Sequence, residues 1–251
     1  MRASAEVLEE LLRHLLRFCV PFQNGAEIDR QAESFLKERG ATSPFHGLNF
    51  YPAHTCVSPN EVASHGIPNS EFFEEGDLVT VDAGCRLGEW ITDAAFTVPV
   101  GKPRPEDIPL LRTGLQALRA GIDAARDGNT SGDISAAIEA TIRSAGFHPV
   151  EGISGHAVGR ALHEEIDIPN EGQAGTGATL EAGMTLAIEP ILTPGSGRIE
   201  NRNGDHWTME TVDHERAVQM EATVLVKPQG PAEVLVGPFR IVEGILGSES
   251  S

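Results

Sequence analysis

The chain repeats itself, and the repeat limits what it can fold into. Two apolar helical stripes joined by a turn occur near the N-terminus and recur at a constant offset of 106 residues. Leu12 falls on Leu118, Leu16 on Ile122, Ile28 on Ile134, Leu36 on Ile142 and Gly40 on Gly146. In the first copy Leu8, Leu11, Leu12, Leu15, Leu16 and Cys19 share one face of a helix expected over 5–19, and Pro21 ends it. Asn24 with Glu27 reads as a capping box opening a second helix, which stops at Gly40. The second copy carries Leu111, Leu115, Leu118, Ile122 and Ala125, a turn at Asp127-Gly128-Asn129, then Ile134, Ile138 and Ile142 before Gly146.

Each helical pair leads into strands. Gly76-Asp77-Leu78-Val79-Thr80-Val81-Asp82 parallels Gly183-Met184-Thr185-Leu186-Ala187-Ile188-Glu189, so the first strand of each half is expected to end in a carboxylate. In the first half, strands are expected over 78–84 and 90–100, and three prolines between Val98 and Pro105 mark a seam. The expectation is one α+β catalytic domain over 1–246, with pseudo-symmetric helix-helix-strand halves at about 1–100 and 105–246 and Asp82 facing Glu189 between them. The small, polar stretch 247–251 is expected to be a disordered tail.

Four acids lie in apolar strand contexts: Asp82 after Val79-Thr80-Val81, Asp93 before Ala94-Ala95-Phe96, Glu189 after Leu186-Ala187-Ile188, and Glu221 before Ala222-Thr223-Val224. One such acid is commonly a hydrogen-bonded structural residue. Four in one domain call for cations, because a buried carboxylate without a partner is costly. His156 and His163 stand seven residues apart in Gly155-His156-Ala157-Val158-Gly159-Arg160-Ala161-Leu162-His163-Glu164-Glu165, where Gly155 and Gly159 suggest close backbone approach. Four carboxylates and His156 would balance two divalent ions, with Mn, Fe(II) or Co(II) favoured over a thiolate-type zinc site by the oxygen-rich set and zinc as a further possibility. Two ions roughly 3.5–4 Å apart activate a shared water and polarise a carbonyl, which is hydrolase chemistry. His65 and His163 would remain as neutral donors to a carbonyl or oxyanion.

Composition removes other classes. The chain carries 37 acids against 19 Lys and Arg, a net charge of −18, and no basic block. Direct contact with nucleic acid or an anionic membrane is therefore not expected, and ribosome docking has no support in the charge. A cationic partner, such as a free N-terminal amine, suits the balance. Cys19, Cys56 and Cys85 are odd in number and widely spaced, which fits a reducing, cytoplasmic compartment and no thiolate zinc site. Glu9, Glu10, Arg13 and Arg17 interrupt the first apolar run, so it does not read as a signal peptide, and no stretch spans a bilayer.

Taken as a set, His65-Gly66-Ile67-Pro68, Asp82 with Asp93, Gly155-His156-Ala157-Val158-Gly159 with His163-Glu164-Glu165, Ile188-Glu189-Pro190 and Glu221 resemble the methionine aminopeptidases, dinuclear metallopeptidases of the pita-bread (aminopeptidase/creatinase-like) fold. The resemblance covers about residues 1–236. It implies Asp82, Asp93, His156, Glu189 and Glu221 as ligands of two divalent ions, and His65, His163 and Glu189 as catalytic groups. It also implies Tyr51, Cys56, Leu162 and Trp207, with His65 and His163, around the substrate side chain. The short gap between Glu189 and Glu221 resembles the type I enzymes, as does Ile168-Pro169-Asn170-Glu171-Gly172. The chain departs from the family pattern at Ala157 in the Gly-His-Gly position, at Leu162 where an aromatic is common, and at Met220 and Ala222 around the last ligand. The implied activity is removal of N-terminal methionine from peptides or nascent proteins by a monomeric enzyme. The alternatives are a pita-bread peptidase of other N-terminal preference, such as Xaa-Pro, and a non-catalytic binding module of the same fold.

Overall fold

A computed structural model describes residues 1–202 and 204–247. The first half opens with α1 (Arg2–Leu15), whose last turn tightens into a 3-10 segment, Leu16–Phe18. There follow α2 (Gly25–Glu38), β1 (Thr55–Pro59), β2 (Val62–Ser64), β3 (Leu78–Leu87) and β4 (Trp90–Pro99). The second half begins with α3 (Asp107–Ala124) and α4 (Ser131–Ser144). Its strands are β5 (His148–Pro149), β6 (Ser154–Ala157), β7 (Glu164–Pro169), β8 (Thr185–Ile188), β9 (Ile191–Thr193), β10 (Ile199–Asn201), β11 (Met209–Thr211), β12 (Val218–Gln219), β13 (Ala222–Leu225) and β14 (Glu233–Val236). A last helix, α5 (Phe239–Leu246), closes the described chain.

The helices form where the apolar spacing demands them. Leu8, Leu11, Leu12 and Leu15 are fully buried and seat α1 on β3 and β4. Ile134, Ile138 and Ile142 do the same for α4, which packs on α3. Each of these side chains contributes about 1.5–3 kcal/mol by leaving water.

The repeat is visible in the backbone. The α2 and α4 segments start and stop at residues matched by the offset, and their N-caps, Asn24 and Thr130, are matched as well. Asn24 forms an isolated bridge with Phe72, and Thr130 forms one with Thr179. Gly76 and Gly183 both turn with positive φ, +86° and +101°, just before β3 and β8. Thr80 pairs with Thr97 across β3–β4, and its mate Ala187 pairs with Thr223 across β8–β13.

Sheets β1-β3-β4 and β14-β13-β8-β6-β7, each antiparallel throughout, carry the two halves. A third, β10-β11-β2, takes strands from both, and a fourth is β12-β9-β5. The Glu221 N–H donates to Ala95 O at 2.9 Å and ties β4 to the start of β13. Phe45, Tyr51, Ala53, Cys56, Ile91, Val158 and Leu162 form a second apolar cluster with Ala187, apart from the main core, and it walls the site.

Two local expectations need correction. Asn24 does cap α2, accepting from Glu27 N at 2.9 Å, but Glu27 turns away to Gln31 and Arg30, so the reciprocal capping box is not formed. The reciprocal box occurs at the matched position, Thr130 with Asp133. Asp82 does not end its strand. The β3 strand runs on to Leu87 because nothing after Gly84 breaks the ladder, whereas Pro190 stops β8 just before Glu189. The C-terminal α5 carries no strong sequence signal. It is held to α3 by Arg119, which stacks over the Phe239 ring at 4.7 Å and pairs with Glu243. Apart from Gly247, the tail expected to be disordered lies outside the described residues.

Candidate active site

The two large sheets deliver five ligand-type side chains to one buried spot. Asp82 comes from mid-β3, Asp93 from β4, His156 from β6, Glu189 from the residue after β8, and Glu221 from the residue before β13. Ligand atoms of Asp93, His156 and Glu221 all lie within 4.8 Å of one another. The His156 Nε2 atom stands 3.9 Å from Asp93 Oδ2 and 3.8 Å from Glu189 Oε1.

Two histidines bracket this cluster. The register that matches Thr80 to Ala187 also matches their strand partners, Ser58 and His156. His65 and His163 follow those partners at the same distance along the chain, so they are pseudo-symmetric mates. His65 adopts left-handed backbone, φ +53°, and the segment crosses β1 so closely that a Cβ on Gly66 would lie 2.3 Å from Val57 O. The Gly155 Cα approaches β8 in the same manner: a Cβ there would meet Ala187 O at 2.5 Å. The His163 ring stands edge-on to His156, centroids 4.4 Å apart.

A cavity of about 60 Å³ opens onto the cluster. One water needs roughly 10–15 Å³ of such space, so the cavity suits a few waters or one slender side chain. Its walls include Tyr51, Cys56, Leu162 and Trp207, with His65 and His163 at the reacting end. Thus the expected ligands, catalytic groups and substrate-side-chain residues all line one cavity. Phe45 and Leu48 also line it. They went unnoticed because the 41–54 segment has no periodicity to aim its side chains. The Tyr51 hydroxyl donates to Thr55 O at 3.0 Å and Gly66 O at 3.1 Å, and its ring meets Trp207 edge-on at 5.1 Å. His54 instead stacks on His46, centroids 4.5 Å apart, outside the cavity.

The electrostatics show what the cluster lacks. Burial pushes the Asp82 carboxyl up to about 7, opposed by a hydrogen bond from Gln219. Asp93, Glu189 and Glu221 are raised well above the carboxylate range, first by burial and then by one another's charge and that of Asp82. Burial lowers His156 to about 4 and also lowers His65 and His163, leaving all three neutral at pH 7. Burial and the charge of Asp82 raise the Cys56 thiol, which therefore stays protonated. Among the described residues, Asp82 Oδ1 and Asp93 Oδ1 are buried with no hydrogen-bond partner. The Nδ1 of His156 lies 3.1 Å from Ala157 O; a carbonyl only accepts, so Nδ1 carries the proton and bare Nε2 faces the carboxylates. Lone pairs pointing at lone pairs in a buried spot are relieved by protons or by a bound cation. The donor set, carboxylate oxygens and one imidazole, fits divalent metal.

The family model for metallopeptidase family M24 matches residues 1–228. The chain belongs to that family. Within M24, it is 38% identical over 231 residues to the methionine aminopeptidase of Clostridium perfringens, covering 92% of each chain. It is 39% identical over 244 residues to methionine aminopeptidase 1 of Mycobacterium tuberculosis, covering 94% of this chain and 91% of the relative. The crystal structure of the Thermotoga maritima methionine aminopeptidase superposes with a TM-score of 0.90 at 35% identity, over 94% of each chain. The Pyrococcus furiosus prolidase shares the fold alone, with a TM-score of 0.75 at 20% identity over 94% of this chain and 62% of that one. The fold is the pita-bread fold of these M24 enzymes, and the M24 chain described here is a hydrolase with a divalent-metal site.

Proposed function

We infer that the protein is a methionine aminopeptidase whose single catalytic domain, residues 1–246, removes N-terminal methionine from peptides or nascent chains. The observation that carries this reading is the buried cluster of unpartnered carboxylate oxygens at the floor of a narrow apolar cavity. Asp82, Asp93, His156, Glu189 and Glu221 would hold two divalent ions, with Mn, Fe(II) or Co(II) preferred by oxygen-rich ligands and zinc as the alternative. Bound ions supply the Lewis acidity that activates water near neutral pH and polarises the scissile carbonyl.

The chain's own residues do the rest. Tyr51, Cys56, Leu162 and Trp207, joined by Phe45 and Leu48, exclude water from the methionine side chain. Cys56 serves as a packed neutral thiol and not as a nucleophile. His65 and His163, neutral and mounted on opposite halves, donate ring N–H groups to the substrate carbonyl and to the oxyanion that forms from it. Glu189, buried and with one oxygen engaged by the Gln219 amide, takes the proton from the attacking water and returns it to the departing amine. Because residues of one chain close the cavity, a monomer suffices, and three free, buried cysteines suit the cytoplasm.

The test is release of methionine from Met-Ala-Ser by protein reconstituted with Mn(II) or Co(II), beside an Xaa-Pro peptide and an Asp93→Ala variant. Metal-dependent cleavage of the first peptide alone, lost in the variant, is the expected result. Cleavage of the Xaa-Pro peptide instead would transfer the assignment to a proline-directed peptidase. Absence of metal binding would leave a binding module.

A further inference from the structure

The pseudo-twofold axis gives Asp93 a partner that no sequence motif marks. Thr97 and Thr223 are matched by their pairing with Thr80 and Ala187. Asp93 and Gln219 each stand four residues before their respective threonine. The side-chain bonding repeats the match. The Thr223 hydroxyl donates to Asp93 O at 2.7 Å and accepts from Asp93 N at 2.9 Å. The Thr97 hydroxyl donates to Gln219 O at 2.8 Å and accepts from Gln219 N at 2.9 Å. Each half therefore uses a threonine latch to fix one residue at the centre. In one half that residue is a carboxylate, and in the other it is an amide.

The amide is buried and engaged. Gln219 is 1% exposed, and its Nε2 donates to Glu189 Oε2 at 3.2 Å. The other oxygen of Glu189, Oε1, is the one 3.8 Å from His156 Nε2. We propose that Gln219 is a positioning residue: its amide N–H ties down one oxygen of Glu189 and so reserves the other for the metal and the proton transfer. Asp93 would be a ligand, and its mate instead supplies a donor, so a symmetric scaffold becomes an asymmetric site with one oriented acid. This inference rests on the metallopeptidase reading of the site.

The experiment compares Gln219→Met, which keeps the bulk and removes the donor, with wild type and with Glu189→Gln and the double variant. Mn(II) binding is read by calorimetry, and kcat and KM on Met-Ala-Ser are read separately. The expected result for Gln219→Met is a loss of about 10–100-fold in affinity for one ion and a comparable fall in kcat, with KM within about 3-fold. In the Glu189→Gln background, the same change is expected to cost nothing further in metal affinity, because Gln219 acts through Glu189. If Gln219→Met does not fold, Gln219→Asn, which keeps an amide but loses its reach, is read by the same criteria. Wild-type metal affinity and kcat in the folded variant would overturn the proposal alone. Failure of the wild type to bind Mn(II) would overturn the metallopeptidase reading with it.

Discussion

Asp93 is expected to carry function at the expense of stability. Its Oδ1 has no hydrogen-bond partner among the described residues, and burial, then the charges of Asp82 and Glu189, push its proton affinity up. Such a group destabilises the metal-free fold and is tolerated only for the ion it would hold. Asp93→Asn keeps the size and removes the charge. The metal-free variant is expected to melt above the metal-free wild type, by about 2–4 °C for each kcal/mol of repulsion relieved. Its peptidase activity is expected to fall by more than about 100-fold. Thermal denaturation in EDTA and a turnover assay check both halves. A metal-free variant less stable than wild type would show that Asp93 contributes to folding through some contact other than charge.

At the scale of elements, the threonine latches are the parts of the frame least visible in the sequence. Helices α1 to α4 could be read from apolar period, because a buried stripe must recur every three or four residues. The central acids could be read because a carboxylate flanked by Val, Ile and Ala has no innocent explanation in numbers. Thr97 and Thr223 carry no such signal, since threonine in a strand is ordinary. Gln219 is equally plain, and Phe45 and Leu48 lie on irregular backbone. The roles of Thr97, Thr223 and Gln219 appear only when β3–β4 and β8–β13 are superposed through the register. Thr223→Val preserves shape and deletes the hydroxyl, leaving the Asp93 N–H and C=O without that partner at a fully buried position. The expected loss is about 1–3 kcal/mol of unfolding free energy. Thr97→Val should cost a similar amount, because the latch is the same. Urea denaturation measures both. A loss below about 0.5 kcal/mol at either site would mean that the backbone groups find other partners.

Across the whole molecule, metal, pH and stability are linked through the same cluster, and the sign can be worked out. The sequence alone implied a two-halved domain with acids between the halves; only folding puts them at low exposure, and that depth sets their proton affinity. A buried acid with a raised folded-state pKa binds its proton more tightly when folded than when unfolded. Its contribution to stability is therefore present at low pH and lost as pH rises toward the folded value. For Asp82 that window runs from 3.8 to about 7, and for Asp93, Glu189 and Glu221 it extends upward from ordinary carboxylate values. His156, His65 and His163 are shifted down and act in the opposite direction, an effect that fades over about one pH unit above their unfolded value of 6.5. Toward pH 8 the histidine contribution has faded and the raised acids dominate the slope at the site, so the metal-free protein should lose stability as pH rises. The loaded protein should hold steady or gain, because deprotonated ligands bind the ions more tightly, and bound metal at 100 times its Kd adds about 2.7 kcal/mol. The melting temperatures of Mn(II)-loaded and EDTA-treated protein are expected to diverge from pH 6.5 to pH 8. The rest of the molecule is common to both forms and cancels in the difference. A gap that stays constant or closes with rising pH would mean that the carboxylates do not titrate together beneath the metal, and would separate the site's charge from the molecule's stability.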